Sequence, residues 1–167
     1  WHLALFHLQR GDAASALALY DQRIRTGRPP SVADLIDASA LLWRVSLQEG
    51  DAGQRWSDLA ASWAPRLADG FCTFTDLHAM MAFVGAGNSE AQKRQIEAVK
   101  RAGKGTGTNA MMSREIGVPA CEGFTAFGRG DYAQAIELLL PLRAKANRFG
   151  GSHAQRDMFS WTLTEAA

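Results

Sequence analysis

Gly123-Phe124-Thr125-Ala126-Phe127-Gly128-Arg129-Gly130-Asp131-Tyr132-Ala133-Gln134-Ala135-Ile136 is the stretch on which the fold turns. Gly123 and Ala126 are small residues inside a first helix, where a second helix can approach closely. Gly130 supplies the left-handed turn that ends a helix, and Asp131 offers a side-chain oxygen to the free N–H groups that open the next. Ala135 and Ile136 then supply small and branched packing positions on the second helix. The segment is the junction of a helical hairpin.

The same junction recurs. Gly-Asp stands at Gly11-Asp12, Gly50-Asp51 and Gly130-Asp131, and Gly87-Asn88 is its near-isosteric version, at spacings of 39, 37 and 43 residues. Four such turns predict four helical pairs. Small residue, Gly, aromatic and Ala at these positions resemble the tetratricopeptide repeat, whose units are helical hairpins stacked on one another. The expected architecture is all-α: a right-handed superhelix of about four pairs plus a terminal helix, as one domain over residues 1–167.

The first pair is expected over Trp1–Arg10 and Ala13–Arg25, with Ala16, Leu17, Tyr20 and Ile24 on one stripe. Gly27-Arg28-Pro29-Pro30 stops it, and Ser31 with Asp34 caps the next. Pair two is predicted over Val32–Glu49 and from Ala52 to about Leu67. Pair three covers Asp76–Val84 and Ser89–Arg101, followed by the loose run Gly103–Thr108. Pair four runs from about Ala110 to Phe127, bent near Gly117-Val118-Pro119, and from Tyr132 to Arg148, where Pro141 removes a backbone donor. Ser152 and Gln155 open a last helix.

With 47% hydrophobic and 21% charged residues and a net charge of +1, the composition is globular, without a global field for nucleic acid or acidic membranes. No stretch approaches the roughly 20 apolar residues that span a bilayer. Cys72 and Cys121 make no disulfide framework and suit a reducing, cytoplasmic compartment. The chain opens without Met and ends inside a helical pattern, as expected of a piece of a longer protein. Met158, Trp161 and Leu163 on the last helix are expected to need a cover, which self-association would supply.

Trp1–Phe6, Asp76–Ala82, Leu138–Arg143 and Gly150–Asp157 resemble the tetratricopeptide repeat protein 38 family. The resemblance implies an α-helical repeat scaffold and carries no activity with it.

Four histidines bear on chemistry. Aligned on their turn glycines, His2, Leu41, His78 and Cys121 fall at one place, nine residues before each. His78 and Cys121, on adjacent pairs, are the candidates for a metal; zinc wants four ligands, for which the only further candidates nearby are Asp76 and Glu122, and no HExxH or CxxC spacing supports a site. Ser152, His153 and Asp157 present a nucleophile, base and carboxylate, although Ser152 is already explained as a cap. Gly103–Thr108 lacks the spacing of a phosphate loop, and Glu90 and Glu97 dilute the basic run from Lys93 to Lys104.

The first helices carry the stronger signal, because in such stacks they line the concave surface where peptides lie. Met80, Met81, Phe83, Phe124 and Phe127 offer soft and flat apolar area, with Asp76, His78 and His153 as polar groups at the wall. The expected function is a protein-interaction scaffold taking an extended or helical protein or peptide segment, with no cofactor. An enzyme or metal site around His78 is the rival, and a purely structural segment the third reading.

Overall fold

The computed structural model describes residues 1–25, 30–50, 52–67, 70 and 72–167, and among them every regular element is helical. In chain order the helices are α1 (His2–Gln9), α2 (Ala13–Leu19), α3 (Val32–Glu49), α4 (Arg55–Trp63), α5 (Thr73–Gly85), α6 (Ser89–Ala102), α7 (Thr108–Met112), α8 (Val118–Gly128), α9 (Tyr132–Leu139), α10 (His153–Arg156) and α11 (Met158–Ala166).

The hairpin turns are as expected. Gly11, Gly50, Gly87 and Gly130 have φ of 73°, 88°, 64° and 76°. At three of them the bonding repeats. Asp131 N–H donates to Ala126 O (3.0 Å) and Gly130 N–H to Phe127 O (2.9 Å), with the same pair at Gly11-Asp12 and Gly87-Asn88. This six-to-one, five-to-two pattern satisfies carbonyls that the helix end would otherwise leave bare. The side chains of Asp12, Asn88 and Asp131 then accept from the N–H groups of Ser15, Ala91 and Gln134 at 3.0, 3.0 and 3.2 Å. Ser31 and Asp34 cap α3 reciprocally, at 2.9 and 3.2 Å. The expected stop at Gly27-Arg28-Pro29 and the cap at Asp51 lie outside the described residues.

Several boundaries differ from expectation for local reasons. The helix expected from Ala52 starts at Arg55, because Gly53 has φ of 63° and cannot be a helical residue. It ends at Trp63, where Pro65 passes into a tight turn over Ala64–Arg66. α5 begins three residues before Asp76, and Thr73 N–H donates to Asn109 Oδ1 at 3.2 Å. The bend near Pro119 is a wide π turn over Ser113–Gly117, so the missing N–H falls where the hydrogen-bond ladder changes register. The helix expected to run to Arg148 stops at Leu139, and Leu140–Leu142 and Ala146–Arg148 are short 3-10 turns, since Pro141 cannot donate and crowds the preceding turn.

Packing puts α3, α5 and α8 side by side, with α4 against α3 and α5, α6 against α5 and α8, and α9 against α8. α11 lies against α9 and reaches back to α3. Trp43 Nε1 donates to Thr162 Oγ1 at 2.9 Å, and Phe159 stacks on Phe124 with ring centroids 5.9 Å apart and planes 5° from parallel. The guanidinium of Arg44, itself buried, is bound by Asp157 and the Ala154 carbonyl. Met158, Phe159 and Leu163 are therefore buried within the chain, which corrects the expectation of an uncovered terminal helix. Trp161 is the large apolar side chain of α11 that stays exposed, at 37%.

Close approach depends on small residues. An added Cβ at Gly85 would lie 2.3 Å from the ring of the buried Trp56. Gly85→Ala is expected to destabilise the fold by about 1–3 kcal/mol through overpacking. Urea unfolding measures this directly, and an unchanged midpoint would contradict the contact.

Candidate functional site

The first-helix residues expected to line an open groove are mostly interior. Met80, Met81, His78 and Phe124 are fully buried, Phe83 and Asp76 nearly so, and Phe127 is half-buried. Phe124 is covered on one side by Trp43 (5.0 Å between ring centroids) and on the other by Phe159 of α11. A segment seated on Phe124 would have to displace the chain's own last helix.

Asp76 and His78 have structural partners. Gln95 Nε2 donates to Asp76 Oδ1 at 3.0 Å, tying α6 to α5. His78 Nδ1 lies 2.7 Å from the carbonyl of Phe74 one turn earlier, so this nitrogen carries the proton and Nε2 is bare. The Phe74 ring packs on the imidazole at 4.4 Å. Burial pushes the His78 pKa down to about 4, against the Phe74 carbonyl, which favours the proton, and with the Arg44 charge, which opposes it. Burial likewise pushes the Cys121 thiol up, so it is a thiol and not a thiolate at neutral pH. Among the described residues no group of three or more His, Cys, Asp or Glu side chains is placed to hold a metal ion.

His153 is exposed on the short α10 and borders a broad depression with Arg143, Asn147 and Arg156. Asp157 does not orient it, because that carboxylate binds Arg44 of α3. Ser152 N–H donates to Gln155 Oε1 at 2.9 Å, as a helix start requires. Arg114 closes the Gly103–Thr108 run onto its own helix, donating to Gly103 O and Gly105 O at 2.5 and 2.9 Å. In the basic run, Lys100 meets Glu122 at 3.1 Å.

An open concavity lined by aromatic rings lies at the turn end of the row. It is a cleft of about 390 Å³ in which the last turns of α3, α5, α8 and α11 meet the first turns of α4 and α9. Trp43, Trp56, Phe127 and Tyr132 line it, with Leu47, Val84 and the carboxylate-bearing Glu165. The rings form a chain. Trp43 meets Trp56 edge-on at 6.3 Å and Phe127 at 5.8 Å, and Phe127 meets Tyr132 at 5.5 Å. Both indole N–H groups are already used, Trp43 on Thr162 and Trp56 on Ser46 Oγ (3.0 Å). Gly85 and Gly128 let the Trp56 ring and the Val84 side chain lie directly against their backbones, where an added Cβ would come within 2.3 Å of each.

Of this lining only Phe127 was singled out from the sequence. The available signal was that Trp43 and Trp56 flank Gly50 while Phe127 and Tyr132 flank Gly130, so two turns bring four rings to one end. Glu165 gave none, because its place depends on how α11 folds back. No protein-family model matches the sequence, and no solved structure matches the chain. No helix among the described residues is long and apolar enough to cross a membrane.

His78 sets a pH dependence. Its folded pKa lies below that of an unfolded histidine, about 6.5, so between these values the unfolded chain takes up the proton and the folded one does not. Stability therefore falls as pH drops from about 6.5 to about 4, by about 3 kcal/mol at 1.4 kcal/mol per unit. Subtracting the stability curve of His78→Leu from that of the native chain isolates this contribution. A flat difference across the window would contradict a buried, neutral imidazole.

Proposed function

We propose that this chain is a tetratricopeptide-like helical-repeat module, akin to the tetratricopeptide repeat protein 38 family and working in the cytoplasm, that binds a protein or peptide segment. In this reading the segment sits in the aromatic cleft at the turn end and needs no cofactor. Support for the repeat comes from the glycine-terminated, side-chain-capped hairpins and from the row α3, α5, α8. Spacings of 37 to 43 residues exceed the roughly 34 of the repeat. Among the described residues, part of the surplus lies between pairs, in the 3-10 turn Ala64–Arg66 and in residues 103–107.

The cleft carries the binding reading. Aromatic side chains that are fixed in place and free of unmet N–H groups give contact area at little cost in conformational entropy, and such rings dominate recognition sites. Tyr132, 47% exposed, is the accessible edge of that surface.

Selection from a random-peptide display library on the immobilised chain tests the reading. The expected result is an enriched motif whose synthetic peptide binds about tenfold or more weaker to Tyr132→Ala, as for a contact at the centre of an interface, with thermal melting unchanged. Absence of enrichment, or equal binding to Tyr132→Ala, would overturn it.

A further inference from the structure

Two accessible rings and one carboxylate set the chemistry of the cleft. Trp43 and Trp56, each 4% exposed, form its buried back wall, and the ring surface open to a ligand is that of Tyr132 and the half-buried Phe127; aromatic faces attract cations. Glu165, on the last turn of α11, adds a negative charge at the same site and is the charged side chain among the described residues of its lining. The basic residues next to the cleft in the chain do not cancel it. Arg55, adjacent to Trp56, is held by both carboxylate oxygens of Asp21 at 2.9 and 2.7 Å. Arg129, adjacent to Gly128, donates to Gln134 Oε1 at 3.0 Å and lines a separate depression with Lys93 and Lys100.

We propose that the cleft receives an arginine side chain of the partner segment, its guanidinium laid on the Tyr132 and Phe127 rings and its N–H groups donated to Glu165. The inference rests on the cleft being the seat of that segment. Arginine fits better than lysine because the guanidinium is planar, weakly hydrated and able to present a fork of donors to one carboxylate. A lysine ammonium would surrender a tightly held water shell to a site with a single charged acceptor. The chain makes the same kind of contact elsewhere: Arg44 lies over Trp1 at 5.4 Å and Arg10 over Phe6 at 5.6 Å.

The test is a titration with N-acetylarginine methylamide, its citrulline analogue and its lysine analogue, read from the indole N–H resonances of Trp43 and Trp56. Citrulline keeps the size and planarity of arginine and two N–H groups able to fork onto one carboxylate, but it is neutral and carries a carbonyl in place of one guanidinium nitrogen. The arginine compound is expected to shift both resonances and to bind at least about threefold tighter than citrulline, the lower range of a cation–π contact with partial charge pairing. Glu165→Gln should bring arginine down to the citrulline level. Equal binding of arginine and citrulline, or no shift up to ~50 mM, well beyond the weak affinity of one side chain, would overturn the proposal. Library peptides that depend on Tyr132 but contain no arginine would overturn it and leave the partner seat standing. Arginine binding without any selected peptide would uphold the cation site and remove the partner segment.

Discussion

The indole of Trp43 is the piece on which the rest of the structure depends. From α3 it touches Trp56 of α4 edge-on, Phe124 and Phe127 of α8, and Thr162 of α11 through its N–H. A buried tryptophan contributes a large apolar area, but its N–H must also find an acceptor, because an unmet donor in a dry interior costs about as much as a lost hydrogen bond. Thr162 is that acceptor, and its own hydroxyl donates to Met158 O at 2.7 Å. The last helix is thereby specified as the partner of the second pair.

Arg44, the next residue, fixes the same joint by charge. Burial pushes its pKa down while Asp157 pulls it back up, so the guanidinium is held charged inside the protein by one carboxylate and the carbonyls around it. With Trp43 and Arg44 both committed to residues 154–162, the face that an open stack would leave to a partner is filled by the chain itself. The rings continue past α11 to the turn end, where Trp56, Phe127 and Tyr132 line the aromatic cleft.

Much of the fold was legible because turns are local. A Gly followed by Asp or Asn fixes a left-handed residue and a cap within a few positions, so all four turns and the caps at Asp12, Ser31, Asn88 and Asp131 followed from sequence. The end of α9 was overrun because the Ile136, Leu139 and Leu142 periodicity continues through Pro141, whose backbone cost outweighs it. The site was less legible for a different reason. Periodicity marks Met81 and Phe124 as apolar first-helix positions but cannot tell whether a partner or the chain's own last helix covers them. That choice was made by Trp43 and Arg44 together with Thr162 and Ala154, more than 100 positions further along the chain.

Hydrogen exchange of the Trp43 indole N–H, followed by NMR, tests most directly whether α11 is seated on α3. A bond to Thr162 in a buried joint predicts exchange only through global unfolding, with a protection free energy equal to that of the slowest core amides and the same denaturant dependence. Exchange at the rate of a solvent-exposed indole, with core amides still protected, would mean that α11 leaves the inner face open and would contradict the account.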